Sequence, residues 1–340
     1  MSLQFIIGSS GIGKTHYACE QIIRESMENP QHLYYIIVPE QFTMQKQKNV
    51  VEMHPGKGIL NIDVLSFQRL AYRIFEETGG AREVLLDDTG KSMVLQKLVQ
   101  QHRKNLPYLG SQMNKPGYLD EVKSLISEFM QYDIREEELQ DMLGKTGEDS
   151  LLHMKMQDVG VLYQAFLQYL EGHYMTGEGV MDALKKAIPF SDKLKKSVLL
   201  LDGFTGFTPV QMNVIRELLN VCDKVLVTVT MDAGENPLQM GKPHQLFYMS
   251  RKMIHTLSGL TSNLDDPVLL KDERKGRFGN STSLDFLEKH LFRYRRSVYE
   301  KKQEEICIFA AESPVKELEE TARRIRRLVR EKNLKYGEIA

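Results

Sequence analysis

An α/β fold built on a mostly parallel sheet is predicted by three observations. Short, continuous apolar segments rich in β-branched residues alternate with helical segments along much of the chain. Those segments lack a regular polar alternate, which is the pattern of strands covered on both faces. The first of them runs straight into Gly8-Ser9-Ser10-Gly11-Ile12-Gly13-Lys14-Thr15, a glycine loop of spacing GxxxxGK[ST] that opens a helix.

The elements follow in order. Gln4-Phe5-Ile6-Ile7 is the first strand, and Lys14 to about Met27 the first helix, stopped near Asn29-Pro30. Tyr34-Tyr35-Ile36-Ile37-Val38 is a buried strand ended by Pro39, and residues 40–53 read as helix. Ile59 to Val64 is a third strand, after which Ser66 caps a helix running through Phe75 to the break at Gly79-Gly80. From about Asp87 to Ile188 the β-branched runs vanish. Segments 90–102, 118–131, 135–143, 151–171 and 179–188 read as helices between Gly, Pro and Asn breaks. The sheet resumes at Val198-Leu199-Leu200-Leu201-Asp202. Thr208-Pro209-Val210-Gln211 then forms a helix start, with a cap, a first-turn proline and a capping-box glutamine. Val225 to Thr230 is the next strand. Residues 233–280 are irregular around one amphipathic stretch, 282–303 read as a charged helix, and Ile306-Cys307-Ile308-Phe309-Ala310 as a new strand. The following helix sets Val315, Leu318, Ala322, Ile325 and Val329 on one apolar stripe.

Composition narrows the class. A chain of 340 residues with 41% apolar side chains has room for about two domains. Its 45 basic and 46 acidic side chains nearly cancel, so any nucleic-acid site is a local patch, not a chain-wide field. Cys19, Cys222 and Cys307 lie far apart with no ligand spacing, against a zinc or iron–sulfur site within this chain. No basic start with a long apolar region marks a signal peptide, and no run approaches the ~18 apolar residues of a membrane helix. The expectation is a cytoplasmic protein with no membrane partner. Gly337-Glu338-Ile339-Ala340 reads as a strand just beginning, so the chain is expected to be the N-terminal piece of a longer protein.

The glycine loop carries the chemistry. Its glycines let backbone N–H groups curl around phosphates, and the helix behind presents its positive end to the same charge. Lys14 is placed to reach the β- and γ-phosphates of ATP, and the Thr15 hydroxyl to coordinate Mg2+. The phosphate-binding set is Gly8, Ser9, Ser10, Gly11, Ile12, Gly13, Lys14 and Thr15. Asp202, after four apolar strand residues, is the magnesium-side carboxylate of a P-loop NTPase. A hydrolytic P-loop motor usually has a glutamate beside that aspartate; here Gly203 and Phe204 follow, and no catalytic base is identified.

Four segments carry a family resemblance: Gly8 to Thr15, Val38 to Thr43, Val64 to Leu70, and Leu201 to Gln211. Together they resemble the N-terminal region of the AddB family, the B subunits of bacterial ATP-dependent helicase/deoxyribonucleases that process double-strand breaks for recombination. The resemblance implies a superfamily 1 helicase-like RecA-type core. Domain 1A would comprise residues 1–80 and 192–235, and a helical 1B-like insertion residues 85–191. A connection would span 236–303, and a truncated second RecA-like domain 304–340. It further implies that Gln41, Thr43, Ser66 and Phe67 face single-stranded DNA, and that an AddA-type helicase/nuclease subunit is the partner. The family's nuclease carboxylates and 4Fe-4S cluster would lie outside this chain. The missing acidic neighbour of Asp202 suits a subunit that binds ATP and does little motor work.

Two rivals stand beside this reading. A small-molecule P-loop kinase shares the loop and the strand aspartate, but the long helical insertion argues against it. A non-catalytic scaffold with a vestigial nucleotide site is opposed by the intact Lys14 and Thr15. The arginines at 323, 324, 326, 327 and 330 read as a solvated helix face, with acid early and base late as the helix dipole favours. Arg293, Arg295, Arg296, Lys301 and Lys302 form a second basic cluster.

Overall fold

The computed structural model describes residues 2–80, 83–113, 115, 117–147, 150–232, 234–271, 277–293 and 297–339. The chain divides into two compact units, Met1–Arg277 and Phe278–Ala340.

Five strands of the first unit were legible in the sequence: β1 (Ser2–Gly8), β2 (Leu33–Ile37), β3 (Ile62–Leu65), β6 (Ser197–Leu201) and β7 (Lys224–Thr230). With β8 (Val268–Leu269) they make one parallel sheet in the order β3-β2-β6-β7-β1-β8. The short edge strand β8 lies within 233–280, where the sequence shows only one amphipathic stretch. Two residues are too few to show a pattern, and only pairing with Ile6 and Ile7 defines them.

Alternate residues of each strand feed opposite faces, as the pleat requires. One face buries Phe5, Ile7, Ile37, Leu199, Leu201 and Val227 against α3 (Phe67–Thr78), α9 (Gly177–Ala187), α10 (Pro209–Val221) and α11 (Tyr248–Ser258). The other buries Ile6, Ile36, Leu200 and Leu226 against α1 (Lys14–Glu28) and α2 (Thr43–Met53). Each fully buried Ile or Leu contributes roughly 1.5–3 kcal/mol, so these two faces dominate the unit's stability. Helix starts follow their caps. Ser66 accepts from the Arg69 N–H, and at Thr208 both arms of the capping box with Gln211 are made.

A separate core forms between β3 and β6 in sequence. It comprises α4 (Asp88–Gln101), α5 (Leu109–Gln112), α6 (Tyr118–Gln131), α7 (Glu136–Gly144) and α8 (Leu151–Leu170), packed around Leu95, Leu98, Ile126, Leu162 and Phe166. Two three-residue strands, β4 (Val84–Leu86) and β5 (Tyr174–Thr176), pair in parallel at its start and end. Helix α9 is read in sequence with this block, yet Val180, Leu184 and Ile188 belong to the core of the sheet. The buried Lys91 of α4 holds Glu178 of α9 at 3.0 Å, and so ties the helical block to the sheet layer.

In the second unit two expectations fail. Helix α12 (Thr282–His290) stops short of 303: Leu291 is already extended, with ψ of 131°, and Phe292 takes a left-handed φ of 55°. Residues 306–310 carry no strand pairing among the described residues, and Ile308 is 92% exposed. A strand is held by a neighbour's hydrogen bonds, and apolar composition alone does not supply them. Helix α13 (Pro314–Glu331) forms as the stripe predicts. Arg323, Arg324 and Arg327 pair with glutamates three or four residues away on the same helix, the behaviour of a solvated face. Of the second basic cluster, Arg295 and Arg296 lie outside the described residues. No helix among the described residues is long and apolar enough to cross a membrane.

Candidate functional site

Because the main sheet is wholly parallel, its carboxyl ends share one edge, and in open α/β sheets that edge is where ligands bind. Gly8 closes β1 there, opposite Thr230, and Asp202 follows β6 beside Thr228.

The loop from Gly8 turns tightly. Gly11 and Gly13 adopt φ of 77° and 102°, left-handed values that side-chain-bearing residues resist. A Cβ on Gly8 would lie 2.7 Å from Cγ2 of Ile12, so the loop also packs too closely for any side chain at that position. Gly13 is the N-cap of α1 and offers no side-chain acceptor, so the leading N–H groups of the helix remain available to an anion. Lys14 folds back, its Nζ donating to the Ser9 carbonyl at 2.8 Å. The Arg277 N–H donates to the Gly11 carbonyl at 2.9 Å and fastens the outer side of the turn.

Beneath the loop lies Asp202, 2% exposed. Its N–H donates to the Ile37 carbonyl at 3.0 Å, which fixes the backbone between β2 and β6. Oδ1 accepts from the Thr15 hydroxyl at 2.8 Å and the Thr228 hydroxyl at 2.7 Å. Oδ2 takes the Lys46 ammonium at 2.5 Å. A buried ion pair repays its desolvation only when the remaining lone pairs are also satisfied, and here two hydroxyls do that. A cavity of about 460 Å³ opens above, lined by Gly13, Lys14, Thr15, Lys46, Asn49 and Arg277 among others. That is within the roughly 300–1,000 Å³ of small-molecule sites. Cys19 sits at its inner wall. Burial raises its thiol most, the Lys46 charge lowers it and Asp202 raises it again, to about 11, so the sulfur stays protonated at neutral pH and is no nucleophile.

Residues 5–288 match the family model described as ADDB, N-terminal. The chain belongs to the AddB family. It is 42% identical to the B subunit of the ATP-dependent helicase/deoxyribonuclease of Lachnoclostridium phytofermentans. It is 32% identical to the proteins of the same name from Thermoanaerobacter sp. and Clostridium acetobutylicum. These matches cover 100% of this chain but 30%, 30% and 29% of the relatives, so the chain spans about 30% of their length.

All four segments that carry the AddB resemblance lie within the matched residues, and the sheet brings them to one edge. The glycine-loop residues Gly8 to Thr15 and Asp202 come together there. The residues expected to face DNA divide. Gln41 is exposed, next to the exposed Phe42 and Met44. Thr43, Ser66 and Phe67 are each 5% exposed and turned inward. Thr43 Oγ1 donates to the Glu40 carbonyl at 3.0 Å, and Ser66 caps α3. Phe67 packs against Phe204 and Phe207, with ring centroids 5.6 and 6.3 Å away. Its ring belongs to a three-aromatic cluster that anchors the chain after Asp202. Gly203 turns that chain with φ of 80°, and the usual acidic neighbour of the strand aspartate is replaced by this turn.

Sequence reasoning missed Lys46, Thr228 and Arg277. Thr228 carried a signal: a hydroxyl inside the apolar run Val225–Val229 needs a partner. Lys46 carried none, since 156 residues separate it from Asp202.

Proposed function

We propose that this chain binds ATP at Gly8–Thr15 as the RecA-type, P-loop part of an AddB-type subunit. Thr15 and Asp202 serve the bound magnesium. The observation that carries the reading is the 2.8 Å contact of the Thr15 hydroxyl with Asp202 directly under a glycine turn and an uncapped helix start. The donors are of the right kind, because magnesium takes hard oxygen ligands and a hydroxyl and a carboxylate are both present, the carboxylate being shared with Lys46. When bound, the ion neutralises phosphate charge. Lys14, which donates to the Ser9 carbonyl and lines the cavity, supplies the cation to the terminal phosphates.

The relatives are named as B subunits of an ATP-dependent helicase/deoxyribonuclease, which supports a role in processing DNA ends beside a second, AddA-type subunit that drives translocation. The residues support a weak motor. Gly203 leaves no carboxylate next to Asp202 to orient water, and a binding site without that group holds nucleotide longer than it hydrolyses it. In this reading residues 1–80 and 192–235 are domain 1A, 85–191 its 1B-like insertion, 236–303 a connection and 304–340 the start of a further RecA-like domain.

Calorimetric titration of ATP with magnesium tests the site. Wild type binds, and Lys14→Ala weakens binding at least about tenfold, a loss of about 1.4 kcal/mol. Equal affinity in the two proteins removes the loop from the reading.

A further inference from the structure

The carboxylate that should serve magnesium already has a cation. Lys46 reaches from the first turn of α2 to place its ammonium 2.5 Å from Oδ2 of Asp202, while Thr15 and Thr228 share Oδ1. A carboxylate has about four acceptor positions, and three are in use. The pair is enclosed, with side chains 11% and 3% exposed, unlike a surface pair that water and salt dissolve. Its geometry is set by the fold, because Val50, one turn along α2, is fully buried in the core that also takes Ile36 and Leu200. Lys46 also lines the cavity over the glycine loop, together with Lys14 and Thr15. A polyanion in that loop meets one lysine from α1 and another from α2.

A divalent ion approaching Asp202 encounters a carboxylate whose charge Lys46 already offsets, which weakens its hold. We propose that Lys46 is a resident cation of this site, so that the chain binds nucleoside triphosphate with little dependence on magnesium. The proposal rests on the reading of Gly8–Thr15 as a nucleotide loop. Thr15 still offers its hydroxyl to a magnesium-loaded nucleotide. What changes is how much affinity depends on the ion. A nucleotide held mainly by lysines and backbone N–H groups is retained without being activated, in keeping with Gly203 in place of an acidic neighbour.

The test is ATP titration into the whole chain in excess magnesium and again in EDTA, for wild type, Lys46→Met, Lys46→Arg and Lys14→Ala. Wild type is expected to change affinity by less than about threefold between the two buffers, and Lys46→Met by about tenfold or more. Lys46→Arg keeps the charge and is expected to stay near wild type. A wild type that loses about tenfold or more in EDTA, with the same ratio in Lys46→Met, overturns the resident-cation proposal and leaves the nucleotide site standing. Equal losses in both buffers for Lys46→Met and Lys46→Arg make the lysine purely structural and also overturn it. Absence of binding by wild type in either buffer, or binding indifferent to Lys14→Ala, overturns the nucleotide reading itself and the proposal with it.

Discussion

Thr228→Val isolates one bond of the Asp202 network. The Thr228 hydroxyl donates to Oδ1 of Asp202 at 2.7 Å from a nearly closed position on β7. A hydrogen bond to a charged acceptor contributes about 1.5–3 kcal/mol. The lower end applies, because Asp202 keeps Thr15 and Lys46 after the substitution. The Gly203 N–H also loses its acceptor, but at 3.4 Å that bond is long and Gly203 is exposed to water. Valine adds a buried methyl worth about 0.8 kcal/mol in return. The expected net loss is therefore about 1 kcal/mol, which in urea moves the midpoint down by roughly 0.3 M at a slope near 3 kcal/mol/M. Thr230→Val, at the exposed end of the same strand, should shift stability by less than about 0.5 kcal/mol. In an Asp202→Ala background the Thr228→Val loss should vanish or reverse, since only the methyl gain remains. A loss of the same size in both backgrounds refutes the assignment of Thr228 to the carboxylate.

Two further outcomes are expected. Glu178→Gln should destabilise the chain by about 2 kcal/mol near neutral pH, less than the roughly 3–5 kcal/mol of a fully broken buried pair, because Lys91 keeps the exposed Asp88 at 3.6 Å. Burial pushes the Glu178 carboxyl up, but its own backbone N–H, the hydrogen bond and charge of Lys91, and the Thr176 hydroxyl together hold it below the usual 4.5. A depressed acid contributes stability above its unfolded value and loses it as pH falls through the folded one. The gap between wild type and Glu178→Gln in denaturation curves should therefore be full near neutral pH and close as pH falls below the ordinary carboxylate range. Phe67→Ala should cost about 3–5 kcal/mol by opening the cluster with Phe204 and Phe207. If it leaves thermal stability unchanged while abolishing retention on single-stranded DNA, the ring faces a DNA strand and the buried placement is wrong.

Much of the fold was legible because its determinants are local. A glycine loop, a capping box at Thr208–Gln211 and a serine cap at Ser66 act within four residues, and each forms in the structure as its spacing dictates. The five strong strands were visible because burial on both faces demands continuous apolar side chains. The elements that escaped, β4, β5 and β8, are two or three residues long and owe their existence to a neighbour. At 306–310 the error ran the other way. The segment has strand composition but no ladder partner among the described residues.

For the site, the sequence by itself picked out the glycine loop with Lys14 and Thr15, because strand–loop–helix spacing is local, and Asp202 as a carboxylate at a strand end. Only the tertiary structure decided that Lys46 and Thr228 complete the carboxylate, that α9 belongs to the sheet's core, and that Phe67 is spent on packing. Those outcomes depend on which helix lies over which face and on strand register across more than a hundred residues. Side chains that meet by register and by helix packing leave no mark on the spacing between them.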